Sequence, residues 1–100
     1  MIVTVSDAGD RFQIAVDGQV AGFTQYQDRD GVRILPHTEI DPAFQGQGLA
    51  SKLIQQALDA TREAGLEVLP LCPAVAGYIA KHPEYADLVP QGQRERFGIS

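Results

Sequence analysis

Cysteine occurs once, at Cys72, so the chain can form no internal disulfide and no site that needs several thiolates. The two histidines, His37 and His82, lie far apart with no HxxxH or CxxC spacing, which argues against structural or catalytic zinc. Basic residues are few: 8 Lys and Arg against 13 Asp and Glu give a formal charge of -5 and a pI near 4.7. A nucleic-acid or anionic-membrane surface needs a basic face, so neither partner is expected. There is no signal peptide and no apolar run long enough to span a bilayer, and with the lone thiol this makes a cytoplasmic protein the expectation. Repeats and low-complexity segments are also missing.

What is present suffices for one modest core. A chain of 100 residues, 44% of them apolar, implies a single domain over residues 1–100. Its organising stretch is 39–50, where a β-prone segment ends, Gly46 and Gly48 turn the backbone, and an amphipathic helix begins without a linker. In that helix Leu49, Ala50, Leu53, Ile54, Ala57, Leu58 and Ala64 fall on one face. Ser51, Lys52, Gln55, Gln56, Asp59, Arg62 and Glu63 take the other. The first N–H groups of a helix have no intrahelical acceptor, and its dipole leaves positive charge there, so the start of this helix can hold a phosphate. Two glycines before a helix can equally serve a tight turn and nothing more. Walker A does not fit, because Lys52 follows Ser51 rather than a glycine, and a dinucleotide fingerprint fails because Ser51 stands where its third glycine belongs.

Upstream, residues 2–5 are β-prone and 7–10 carry turn chemistry around Gly9. Phe12, Ile14 and Val16 alternate with polar neighbours as in a half-buried strand. Asp17-Gly18 predicts a two-residue hairpin with 20–26 returning antiparallel. Residues 27–31 read as a polar turn and 32–40 as one further strand, doubtful in its pleat only at Pro36, beyond which its facing could swap. Gly65 caps the long helix, and 66–71 reads as a strand parallel to the one before the helix. Pro73 suits a first helical turn, which puts Cys72 at the start of a helix running to about Lys81. The polar tail, 90–100, is expected to be loosely held.

Gln45-Gly46-Gln47-Gly48-Leu49-Ala50 matches, through Gln45, Gly48 and Ala50, the Q/R-x-x-G-x-G/A acetyl-CoA motif of the GNAT acetyltransferase superfamily. Cys72-Pro73, Tyr78-Ile79 and His82-Pro83-Glu84-Tyr85 look like the small single-domain GNAT-like subgroup with one cysteine after the fifth strand. The resemblance covers about residues 11–89. It implies an α/β fold: a mixed, mostly antiparallel sheet with a parallel, splayed strand pair, one long helix and one short one. It implies acetyl-CoA or coenzyme A bound by the 45–50 loop, with a backbone N–H near Ile40 on the thioester carbonyl and the Ser51 hydroxyl in reach of the phosphates. It also implies a bulge in the fourth strand, with which Pro36 is compatible, and a gap that Pro36 and Pro70 would help hold open.

Acetyl transfer to an amine then requires a base, and Glu39 is the candidate if burial raises its pKa; His37 shares its face. Cys72, at a helix start, is either a thiolate nucleophile or a small buried hydrophobe lining the slot. By resemblance Tyr78 would protonate the departing thiolate. Standard members of the superfamily place two helices between their first two strands, whereas one turn separates Val5 from Arg11. The acceptor, a small molecule or a protein amine, is therefore not specified. The alternative function is a CoA-binding or protein-interaction module without catalysis, and a nucleotide-binding module is a third.

Overall fold

The computed structural model describes residues 1–99. Strands β1 (Val3–Asp7), β2 (Arg11–Val16) and β3 (Gln19–Gln25) form an antiparallel meander. Asp17 and Gly18 both have positive φ, 50° and 84°, the backbone a two-residue hairpin loop needs to match strand twist. Phe12, Ile14 and Val16 are buried, as their alternation predicts. The register slips between Ile14 and Ala15, a bulge that leaves both Ala21 and Gly22 buried on β3.

Residues 27–31 are not simply a turn. Gln27–Arg29 is a short strand, β4, paired antiparallel with β5 (Val32–Ile34) around Asp30-Gly31, whose φ values are also positive. Its polar composition is stable in a strand because Asp28 lies opposite Arg33 and accepts two guanidinium hydrogen bonds, at 2.7 and 2.9 Å.

The expected strand over 32–40 is two strands in two sheets. Beyond Ile34 the chain breaks at Pro36, and β6 (Thr38–Ile40) pairs instead with β3. The inward facing swaps across the break: Arg33 and Leu35 are buried before it, whereas Thr38 and Ile40 are the more covered residues after it. One sheet has the order β1-β2-β3-β6 and the other β4-β5-β7, where β7 (Glu67–Leu69) runs parallel to β5. The ladder between β5 and β7 extends through Leu35 N–H to Leu69 O (3.1 Å) and Cys72 N–H to Leu35 O (2.9 Å), and among the described residues β6 has no strand partner on that side. The two sheets therefore part beyond Pro36, which is the splay.

Helix α1 (Leu49–Glu63) is the wall shared by both halves. Leu49, Leu53 and Ala57 pack on the four-stranded sheet, while Ile54 and Leu58 face Leu35, Val68, Val75 and Ile79. Leu53 and Leu58 are fully buried, and each such leucine contributes about 1.5–3 kcal/mol relative to exposure. One assignment in the predicted stripe differs: Ala64 is exposed where the helix ends ahead of Gly65. Thr61, assigned to neither face, is buried, its hydroxyl donating to Ala57 O at 2.7 Å.

Helix α2 (Pro73–Lys81) starts at Cys72 as predicted. The tail is not the loose segment expected of its composition. After the 3-10 turn Pro83–Leu88, two more short turns return Ile99 to the core at 5% exposure, with Phe97 packed beside it and Arg94 Nε donating to Val89 O at 3.0 Å. The two apolar side chains near the end outweigh the polar average of the segment. Ser100, the last residue of that expected tail, lies outside the described residues. Among the described residues no helix is long and apolar enough to cross a membrane.

Candidate functional site

The loop before α1 is held from its base. Asp41 accepts from Ala43 N–H at 2.9 Å, starting the 3-10 turn Pro42–Phe44, and the Gln45 amide reaches Ile40 O at 3.4 Å. Gly46 and Gly48 have φ of 82° and 73°, and a Cβ at either would meet nothing within 4 Å. Backbone conformation, not crowding, selects glycine here. Gly48 is the N-cap of α1 and no side chain caps the helix, so its first N–H groups stay available to a ligand. They border a cleft of about 400 Å³. Of the cofactor-binding residues read from the sequence, Ile40, Gln45, Gly46, Gly48, Leu49, Ala50 and Ser51 line this cleft, joined by Thr38, Phe44 and Ala74; Gln47 does not.

At its inner end the cleft meets the splay. Gln25 N–H bonds to His37 O (2.8 Å) and Asp41 N–H to Ala21 O (2.7 Å). Antiparallel bonds alternate, so Glu39 is the bonded residue between them, and the amides of Thr38 and Ile40 point to the opposite, unpaired edge. That is where the resemblance requires a donor near Ile40. The Thr38 hydroxyl lies 2.8 Å from that of Thr24, which is fully buried, and the Cys72 thiol donates to Thr38 Oγ1 at 3.5 Å. Cys72 is 5% exposed and lies behind Thr38, not among the residues lining the cleft.

Glu39 occupies the other face of β6, and its side chain is 63% exposed, so the burial on which its role as base was made conditional is absent. Helix α1 covers the Thr38 and Ile40 side of the sheet, and the Glu39 carboxylate extends from the opposite side to within 3.5 Å of His37 Nε2. It lines a second open cleft of about 520 Å³ with Phe23, Asp41 and Pro42, and no basic side chain contributes to that lining. Ile40 and Gln45 border both clefts, so β6 and its following turn are the wall between them.

Tyr78 does not line the cleft that holds Thr38. It lines a third cleft, about 340 Å³, with Ser51, Gly77, Lys81 and His82, and its ring stacks on His82 at 4.1 Å. Burial, then the charges of Glu84 and Asp59, raise its phenol above the ordinary tyrosine value. Because the second and third clefts share Ala50, Ser51 and Ala74, they form one trough with Thr38 at one end and Tyr78 at the other. Cys72, at the N-cap, belongs to the Thr38 end; Tyr78, later in the same helix, belongs to the opposite end. Thr24 and Thr38 are the residues that sequence reasoning passed over. Each reads as an ordinary β-former, and only the β3–β6 register makes them a pair. Among the described residues no cluster of His, Cys, Asp and Glu could hold a metal ion.

Similar proteins share this fold. A sequence model of the family described as GCN5-related N-acetyl-transferase matches residues 11–88. No curated protein matches the chain at a significant level. Among solved structures, the ribosomal-protein-S18-alanine N-acetyltransferase of Escherichia coli is 25% identical, with a TM-score of 0.56 over 62% of this chain and 42% of that one. A GNAT family acetyltransferase of Brucella melitensis, solved in complex with acetyl-CoA, is 27% identical, with a TM-score of 0.56 over 72% of this chain and 50% of that one. The present chain therefore spans half or less of these two proteins. A GCN5-like protein of Staphylococcus aureus is similar in length, each chain covering 87% of the other with a TM-score of 0.68, and at 20% identity it speaks for the fold alone. With most of its length matched by the family and its fold shared with these structures, the chain belongs to the GCN5-related N-acetyltransferase family.

Proposed function

We propose that residues 1–100 act as one minimal acetyltransferase domain that binds acetyl-CoA and passes the acetyl group to an amine. The observation that carries this reading is the uncapped start of α1 at Gly48, opening onto a trough that continues into the gap beside β6. The acetyl-CoA held by the Brucella relative supports it. The ligand supplies an activated acetyl thioester. On this chain, the N–H groups of Leu49, Ala50 and Ser51 would receive its phosphates, as helix starts do, with the Ser51 hydroxyl as a further donor and Gly46 and Gln47 completing the loop. The apolar walls of Ile40, Phe44 and Ala74 suit the pantetheine arm, and the edge amides at Thr38 and Ile40 would polarise the thioester carbonyl.

The Glu39 cleft, with a second carboxylate at Asp41 and the Phe23 ring, is the acceptor side in this reading. Glu39 would remove the amine proton through water, since its exposed carboxylate lies across β6 from the trough. Transfer is direct, with Cys72 behind Thr38 and not in the slot. Tyr78 serves the nucleotide end of the trough instead of the leaving thiolate. A cytoplasmic location goes with this reading, because that is where acyl-CoA donors and an unpaired thiol such as Cys72 are at home.

A second reading is a CoA-binding module without turnover, favoured by the exposure of Glu39 and the placement of Tyr78 outside the cleft that holds Thr38. Calorimetric titration with acetyl-CoA and CoA tests the shared premise. Both should bind, and Gly48→Asp should abolish binding by setting a negative side chain at a positive-φ position beside the helix start. Normal binding by that variant would refute the cofactor site. Release of CoA thiol that falls when Glu39 becomes Gln favours the enzyme; tight binding with no release favours the module.

A further inference from the structure

Thr38 occupies a special position between buried donors and the trough. Behind it, the fully buried Thr24 hydroxyl has two acceptors in reach, Thr38 Oγ1 at 2.8 Å and His37 O at 3.4 Å. A carbonyl oxygen has two lone pairs, so His37 O, which accepts from Gln25 N–H at 2.8 Å, can take the Thr24 proton as well, and the Thr24–Thr38 bond can run in either direction. The Cys72 thiol donates to the same Thr38 oxygen.

A hydroxyl has two lone pairs and one proton. In the arrangement where Thr24 and Cys72 both donate, the two lone pairs of Thr38 Oγ1 are filled and its own proton is left for a further acceptor. A carbonyl oxygen entering the cleft that Thr38 lines selects that arrangement, because it gives this proton an acceptor. The walls there are largely apolar, with Ile40, Phe44 and Leu49 nearby, so a hydroxyl proton aimed into it interacts strongly with any acceptor that displaces the water. The amides of Thr38 and Ile40 point to the same edge.

We propose that the Thr38 hydroxyl donates a hydrogen bond to the thioester carbonyl oxygen of bound acetyl-CoA, with Thr24 and Cys72 as positioning residues that aim it. This rests on the acetyl-CoA reading above and deepens it. No proton is transferred: the bond strengthens as the carbonyl oxygen gains charge when the amine attacks, and weakens when the C–S bond breaks. Cys72 acts as a thiol, since only a protonated sulfur can donate to Thr38. This gives a buried cysteine at the start of α2 a role in which it never touches the acetyl group.

Infrared difference spectroscopy of acetyl-CoA labelled with carbon-13 at the thioester carbonyl tests this without turnover. On the wild type the carbonyl stretch should move to lower frequency than in the free ligand. Thr38→Val, which keeps the shape and removes the hydroxyl, should return it most of the way. Thr38→Ser should keep the shift, and Cys72→Ala should reduce it. Calorimetry on the same proteins should show Thr38→Val losing about five-fold in affinity for acetyl-CoA, the scale of one neutral hydrogen bond, with CoA itself nearly unaffected. Thermal melting establishes that each variant is folded, and Thr38→Ala gives the same readouts should the valine variant not fold. A carbonyl frequency that stays at the wild-type value in folded Thr38→Val or Thr38→Ala with acetyl-CoA bound overturns the proposal and leaves the cofactor site standing. Failure of the wild type to bind acetyl-CoA overturns both.

Discussion

At Cys72 a single residue separates two chemistries. A nucleophilic cysteine needs to reach the acetyl carbon as a thiolate, with an electropositive, partly open environment. Cys72 does stand at the N-cap of α2, the position that favours a thiolate, yet it is 5% exposed and its thiol is engaged with Thr38. Direct transfer predicts that intact-mass measurement after incubation with acetyl-CoA finds no acetyl adduct on the wild type, and that Cys72→Ala retains turnover at a reduced rate. A stoichiometric adduct that disappears in Cys72→Ala would establish the covalent route instead. The residue-type argument that nominated Cys72 from the sequence was sound as far as it went. The direction of its side chain follows from where β6 lies, and β6 is fixed by a different part of the chain.

Among the elements, β6 has the most at stake, being three residues long and forming the wall between the Thr38 cleft and the Glu39 cleft. Its contact with β3 depends on Gly22, opposite Ile40: a Cβ there would collide with the Glu39 carbonyl oxygen and the Ile40 side chain. Gly22→Val should therefore destabilise the fold by about 3 kcal/mol, as overpacking of a tight contact does, measurable as a lower denaturant midpoint. It should also weaken acetyl-CoA binding by shifting Thr38 and Ile40, and unchanged stability with unchanged binding would contradict this account of the wall. Local chemistry made several elements legible: the alternation of β2, the Asp17-Gly18 turn, the stripe of α1 and the Pro73 start of α2 depend on neighbours in sequence. The division of 32–40 at Pro36 was legible only as doubt, because proline signals a break without specifying which sheet the chain joins afterwards. Strand β4 was hidden by its polar composition, which is stable in a strand only because Asp28 meets Arg33 across it.

For the molecule as a whole, that same pair ties the second sheet to the body. Arg33 is 7% exposed, its guanidinium lies 4.3 Å from the Tyr26 ring, and it donates to Thr61 on α1 at 3.4 Å. The hydrogen bonds from Arg33 hold the Asp28 carboxyl below its ordinary value of 3.8. A carboxylate whose folded pKa is depressed stabilises the fold above its unfolded pKa, and that contribution is lost as pH falls through the lower folded value. Asp28→Asn should cost about 1–2 kcal/mol at neutral pH, less than a fully buried pair because the Asp28 side chain is 42% exposed. The difference from wild type should shrink below pH 3.8, readable from denaturant unfolding across a pH series. A gap between the two proteins that stays constant down to acid pH would show that the pair does not carry it.

The sequence alone determined what depends on short range: the helix that begins at a glycine, the hairpin, the cysteine before a proline-led helix, and the motif through Gln45, Gly48 and Ala50 that marks the family. Each is set by backbone preference or by the period of one segment. The tertiary structure decided what depends on two segments meeting. It put Glu39 in the open and Tyr78 at the far end of the trough, brought Ile99 into the core, and joined Thr24, Thr38 and Cys72 from two strands and a helix start. The physical reason is the break at Pro36: once the chain changes sheets there, facing is reset, and which side chains share a cleft is fixed by strand pairing, which no single segment encodes.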